Sequence, residues 1–195
     1  PIVAWSESNQ IRVKRYDNAA GAWSTLGPAT VAFSAQVAMA TQGGVPYLAW
    51  GEFTSQSGNA SNFTVKAASY DEATQAWPQL VSDFRSQINV PNASIAVPAA
   101  GELYVVHGQL PFVVSGVPQP ADLRVLHRVG GSTQEVAASF KVDPNGLPWI
   151  SDADQLGSSL VVAFNEFVRD PVTGNANASR IWVRVQGAGG FSAEP

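Results

Sequence analysis

The sequence predicts an all-β chain built as a β-propeller of four-stranded antiparallel blades, and three observations carry that prediction. A seven-residue phrase is written four times: Pro1-Ile-Val-Ala-Trp-Ser-Glu7, Pro46-Tyr-Leu-Ala-Trp-Gly-Glu52, Leu103-Tyr-Val-Val-His-Gly-Gln109 and Leu160-Val-Val-Ala-Phe-Asn-Glu166. Its fifth place (Trp5, Trp50, His107, Phe164) returns after 45, 57 and 57 residues, a period that belongs to propellers and other repeat arrays. The composition is that of short strands joined by turns: 17 Gly, 13 Pro and 45% apolar residues, with only 13% charged against about 25% in an average domain. A β-sandwich also uses short strands with frequent turns, but it has no reason to repeat one phrase four times.

Each phrase reads as a strand, because β-branched and aromatic residues dominate it and its fifth and seventh places fall on one side of the pleat. In the first unit, residues 1–45, the turn Ser8-Asn-Gln10 leads to an alternating strand Ile11-Arg-Val-Lys-Arg-Tyr16. Asp17-Asn-Ala-Ala-Gly21 turns the chain into an outer strand, Ala22-Trp-Ser-Thr-Leu-Gly27, and residues 31–41 form an extended lead-in to the next anchor. The second unit, 46–102, repeats this with Phe63-Thr-Val-Lys66, Tyr70-Asp71 and Trp77-Pro-Gln-Leu80, then a lead-in at 93–98. The third, 103–159, has Leu123-Arg-Val-Leu126, an outer strand at 136–140 and a turn at Asp143-Pro-Asn-Gly146. The fourth, 160–195, offers Ile181-Trp-Val-Arg184 and Gly189-Gly-Phe191. The lead-in strand lies innermost in a blade, and none precedes Pro1. That gives fifteen strands where four whole blades need sixteen: about four blades, the first lacking its innermost strand, in an arc or fragment of a larger propeller. Apolar faces at the two ends of such an arc call for cover by further blades or a neighbouring chain.

The net charge of −4 offers no clustered cations for nucleic acid, and no apolar run approaches the ~20 residues of a membrane helix. Pro1 opens directly inside a strand pattern, as in a processed or partial chain. With no Cys, disulfides and thiolate metal sites are excluded. A Cys-free, low-charge β-protein rich in Asn, Ser and Gly fits a secreted or surface protein of bacterial type.

The phrases Val3-Ala-Trp-Ser-Glu7, Val13-Lys-Arg-Tyr-Asp17 and Trp23-Ser-Thr-Leu-Gly27 resemble repeats of bacterial secreted propellers of the sialidase-like and kelch-like type. Sialidase-type propellers carry an Asp-box turn, Ser-x-Asp-x-Gly-x-Thr-Trp. The stretch from Ser69 to Trp77 stands at that place, one residue longer and with Ala73 where Gly belongs; Asp17 to Trp23 departs similarly. The resemblance implies that each Asp bonds nearby amides and each Trp packs between blades. Sialidase chemistry would further need three carboxylate-gripping arginines, and the family's Phe-Arg-Ile-Pro motif is echoed only by Phe84-Arg-Ser-Gln87.

The repeated acids Glu7, Glu52 and Glu166, with Gln109 in the same place, are the best-specified polar feature. Two readings stay open. Glu52 and Glu166 could serve a hydrolase as acid and nucleophile if ~5–9 Å apart. Alternatively each Glu caps a loop or pairs with a neighbouring cation such as Arg12, which recurrence in every unit favours, since a catalytic site needs different residues in different roles. Beyond these acids the later units insert loops at 53–62, 110–122 and 167–180, bringing Phe53, Phe112, Phe167, Arg169 and Asp170 to one end of the scaffold. Such loops are where repeat proteins build binding surfaces. His107 stands at a Trp place and reads as core; Asp152-Ala-Asp154 reads as a solvated turn or half of a Ca²⁺ site. No cofactor motif is present. The leading expectation is a non-catalytic module that binds protein or glycan through its long inter-strand loops, against a sialidase-like hydrolase or an architectural subunit of a surface assembly.

Overall fold

A computed structural model describes residues 1–27, 30–31, 36–57, 60–87, 92–109, 112–114, 117–119, 122–136, 140, 146–157, 159–169, 176–187 and 190–191. Alternating side chains and two-residue turns set its architecture. The first blade comprises β1 (Ile2–Glu7), β2 (Gln10–Asp17) and β3 (Ala22–Thr25), with the short β4 (Thr30–Val31) pairing the start of β2. The second is β5 (Val37–Gln42), β6 (Val45–Ser57), β7 (Ala60–Ser69) and β8 (Gln79–Gln87), in that order. In the third, β9 (Ala93–Ala99) and β10 (Glu102–Gln109) are followed by a separate hairpin, β11 (Phe112–Val114) with β12 (Val117–Gln119). The blade then resumes with β13 (Asp122–Val129) and β14 (Ser132–Val136). The fourth is β15 (Gly146–Leu156), β16 (Ser159–Arg169), β17 (Ala176–Gly187) and β18 (Gly190–Phe191). Every pairing is antiparallel. At Ser8-Asn9 and Gly43-Gly44 both central residues have positive φ, the turn whose twist matches that of the flanking strands.

The pleat decides how the sheets stack. On each anchor strand the third and fifth places face the preceding blade, and the second and fourth face the next. Ile11, Val13 and Leu26 of the first blade therefore meet Leu48, Trp50 and Ala68 of the second. Tyr47, Ala49 and Val65 meet Ile95, Val97, Leu103 and Val105 of the third. Tyr104, Val106, Leu123 and Val125 meet Leu160, Val162 and Phe164 of the fourth. Burying each large side chain stabilises its interface by about 1.5–3 kcal/mol. Three successive cores joining four sheets are a β-propeller; a sandwich would have one. The lead-in strands β5, β9 and β15 are innermost, and β1 pairs only β2, so the first blade has no strand inside β1 among the described residues.

Several local expectations need correction. The described parts of the insertions at 53–62 and 167–180 are strand rather than loop. β6 and β7 stay paired to Ser57 and Ala60, and β16 and β17 to Arg169 and Ala176, each through a bulge. Residues 53–57 contain no Pro or Gly to end the ladder, so pairing propagates outward. The second outer strand starts at Gln79, after Trp77, because Pro78 has no N–H to donate. The third outer strand is Ser132–Val136, since the two-residue turn at Gly130-Gly131 sets Ser132 directly against Val129; residues 137–139 lie outside the described set. The extended segment at 31–41 divides into β4 and β5, with 32–35 outside the described residues.

Candidate functional site

The three lead-in strands run beside one another near the axis and leave a cleft of ≈ 370 Å³. Ala38 and Thr41 of β5, Ser94, Ile95 and Val97 of β9, and Asp152, Asp154 and Gln155 of β15 are among its walls. These strands are sheet edges, whose outward amides need partners. Ser94 opposes Val106, and Asp152 opposes Ala163; both partners are fourth places of an anchor. The Ser94 hydroxyl donates to Asp152 Oδ1 at 2.8 Å and accepts from the Ala153 amide at 3.0 Å. Asp152 Oδ1 also accepts from that amide at 2.8 Å, and Asp154 Oδ1 from the Gln155 amide at 2.8 Å. A bulge between Ile150 and Asp152 sets this register. Each carboxylate has about four acceptor sites, so both aspartates keep capacity for a ligand. The cleft thus offers a mainly polar lining of acceptors, an amide and hydroxyls, and its size lies within the usual range of ligand clefts. Among the described residues no group of three or more His, Asp or Glu is placed to hold a metal.

Among the described cleft residues the sequence singles out only Asp152 and Asp154, as a solvated turn or half of a Ca²⁺ site; Glu7, Glu52, Phe53, Glu166 and Phe167 lie elsewhere. Glu7 pairs with Arg12 at 2.9 Å. Glu52 accepts from Lys66 at 2.8 Å and from the Trp50 indole at 3.4 Å. Arg12 and Lys66 both oppose the fifth anchor place, so one acid–cation pair recurs in two blades. Glu166 is fully buried and opposes Arg180 in the ladder. Glu52 faces the first blade and Glu166 the third, so the two carboxylates belong to different interfaces. Phe53 packs edge-on to Phe63 at 5.7 Å, and Phe167 is partly exposed. Gln109 closes β10 opposite Asp122, Phe112 opens β11, and Arg169 closes β16; Asp170 lies outside the described residues.

His107 is buried, as its place in the phrase predicts, but its Nε2 stands 3.3 Å from Asp83 Oδ2 on the second blade. The sequence reading missed Asp83; its phase in β8, two residues after buried Val81, was the available signal. The Asp turns behave as the resemblance implies. Asp71 Oδ1 accepts from the Ala73 amide at 2.9 Å and Oδ2 from the Thr74 hydroxyl at 2.8 Å. The Thr74 hydroxyl first, then the Ala73 amide, hold this carboxyl below the usual range. Asp17 Oδ1 accepts from the Ala19 and Ala20 amides at 2.8 and 3.2 Å. Trp77 packs between blades, donating its indole N–H to the Leu26 carbonyl at 3.0 Å and meeting Tyr70 at 5.1 Å. Trp23 does not: it meets Tyr16 on the outer face of the first blade and is 47% exposed.

No protein-family model matches the chain, and no curated protein does. Among solved structures it is similar to an α-L-arabinanase of Penicillium chrysogenum complexed with arabinobiose, with a TM-score of 0.52 and 9% identity. The match covers 100% of this chain and 59% of that one, so the chain spans less than two thirds of its structural neighbour. At that identity the likeness speaks for the fold: four antiparallel blades of a β-propeller.

Proposed function

We propose that this chain is part of a secreted or cell-surface propeller that holds a neutral oligosaccharide in the cleft between β5, β9 and β15. The observation that carries the reading is the cleft itself: Asp152, Asp154, Gln155 and Thr41 gather hydrogen-bonding groups for hydroxyls around one concavity. Support also comes from the propeller neighbour, whose complex holds arabinobiose. Binding without turnover is the favoured form. The repeated acids at the far end of the anchors are engaged in ion pairs or buried, which suits a structural role for Glu7, Glu52 and Glu166. Titration calorimetry with arabinobiose and other neutral disaccharides tests the reading. Saturable heat is expected from the wild type, with affinity at least tenfold weaker in Asp154→Ala and Gln155→Ala; equal affinity in all three would sink it.

Hydrolysis is the second reading, of sialidase-like or other glycan-active type. Asp152 and Asp154 sit two residues apart on one strand and both line the cleft, as an acid and a base flanking a glycosidic bond would. Product analysis after long incubation separates the two: released monosaccharide that disappears in Asp154→Asn supports hydrolysis, and intact disaccharide supports binding alone.

A further inference from the structure

The two exposed aspartates of the cleft have no cation beside them, unlike most other acids on the strands of this chain. Glu7, Glu52 and Glu135 each pair with an Arg or Lys, and Asp83 and Glu102 each stand within 3.3 Å of a His ring nitrogen. Among the described residues neither Asp152 nor Asp154 forms an ion pair, and those that line the cleft include no Lys, Arg or His. The partners that the two aspartates do have are unequal. Asp152 Oδ1 accepts from both the Ser94 hydroxyl and the Ala153 amide, each at 2.8 Å, and these dipoles offset part of its charge. Asp154 Oδ1 has only the Gln155 amide, at 2.8 Å. The walls of the cleft are innermost strands, which line the axis of a propeller whatever the number of its blades. The concavity therefore belongs to the axis and not to an outer face left uncovered.

We infer that Asp152 and Asp154 make the cleft selective by charge, so that it takes uncharged glycans and turns away those that carry a carboxylate, such as uronic and sialic acids. The inference rests on the sugar-binding reading above and assigns what sets its specificity. A sugar hydroxyl brings a donor to either aspartate. A sugar carboxylate brings only acceptors, so no hydrogen bond forms and like charges meet. The cleft of ≈ 370 Å³ is narrower than the ~10 Å screening length of 0.1 M salt, so a carboxylate anywhere within it feels both aspartates. Sites that do hold anionic sugars are built the opposite way, from guanidinium groups that grip the carboxylate. Rejection of a near-isostere by an unpaired charge is a common source of specificity. Asp154 is the stronger filter of the two, because fewer dipoles offset its charge.

Titration calorimetry on the full chain tests this with two ligands that differ in one group: arabinobiose, and arabinobiose with its terminal primary alcohol oxidised to a carboxylate. The wild type is expected to bind the carboxylate form about tenfold more weakly or worse at ~20 mM salt, and the gap should narrow by ~0.5 M salt. The ratio of the two affinities is read within each variant, so a general loss of affinity cancels. Asp154→Asn should narrow the gap more than Asp152→Asn, and the double variant should bring the two ligands within about twofold. Both side chains are exposed, circular dichroism checks folding, and the salt series needs no variant at all. Equal affinity of the wild type for both ligands overturns the inference and leaves the sugar-binding reading standing. A gap that neither salt nor the Asn variants alter also overturns it, since the rejection would then be steric. Failure of arabinobiose and every other neutral disaccharide to bind overturns the sugar-binding reading, and the inference with it.

Discussion

Replacing Gly27 with alanine probes how closely the first two blades are joined. Gly27 has φ +66°, and a Cβ there would stand 2.7 Å from the Gln75 carbonyl oxygen and 3.3 Å from the Trp77 ring. The left-handed backbone costs a non-glycine residue about 1–2 kcal/mol. Displacing a packed carbonyl and indole costs about 1–3 kcal/mol more. The bond from the Trp77 indole to the Leu26 carbonyl, next to the new methyl, contributes about 1 kcal/mol that would be weakened or lost. The expected loss is therefore about 3–6 kcal/mol, a large part of the ~5–15 kcal/mol of a typical domain. Gly43→Ala isolates the backbone share, because Gly43 has φ +58° and a methyl added there would meet nothing within 4 Å. That variant should lose only about 1–2 kcal/mol. Urea unfolding followed by tryptophan fluorescence measures both. A gap of about 2–4 kcal/mol supports the packing argument; equal losses would refute it, since the inter-blade contact would then contribute nothing.

Ser94→Ala removes the hydroxyl that bridges Asp152 and the Ala153 amide, and should cost about 1 kcal/mol in the same unfolding assay. Thr74→Val should flatten the acid end of the stability profile. Asp71 has a lowered folded pKa, so its contribution is present above about pH 4 and is lost as pH falls through the folded value. The wild-type advantage over Thr74→Val at pH 7 should therefore shrink toward pH 2, and an advantage constant with pH would contradict the cause assigned. Burial, then the Glu102 charge, raise the Tyr104 phenol above its usual range, so folding is favoured below about pH 10 and loses that contribution as pH climbs further. Tyr104→Phe should weaken this alkaline drop, seen as a smaller fall in Tm between pH 9 and 11. Replacing residues 112–119 by a short turn should leave disaccharide binding within about twofold of wild type, since the described residues of the cleft all come from β5, β9 and β15.

The propeller was legible because its signal is period-two and repeated. The anchor phrase fixes which places face the preceding blade, and Leu48, Val105 and Val162 all follow that phase into a core. The partners of Glu7 and Glu52 were also readable, since Arg12 and Lys66 lie on the neighbouring strand of the same hairpin. What stayed hidden is the cleft. Ser94 and Asp152 are 58 residues apart and meet only because two lead-in strands, each contributed by a different unit, are brought side by side by blade packing. Their sequence neighbourhoods read as turn and lead-in strand, with no motif to join them. The insertions were misread for a local reason: length suggested loops, while the lack of Pro and Gly across 53–57 was the better guide to continued pairing. Trp23 and Trp77 share one sequence environment, yet only Trp77 packs on a preceding blade among the described residues, which no local pattern records.

The central claim is that sugar is held in the cleft between the lead-in strands. Amide spectra of the ¹⁵N-labelled chain, titrated with arabinobiose, test this residue by residue. Saturable shifts centred on Thr41, Ser94, Ala153, Asp154 and Gln155 are the predicted result. Shifts centred instead on the 112–119 hairpin and the far ends of β6 and β16, or no shift with any neutral disaccharide, would contradict it.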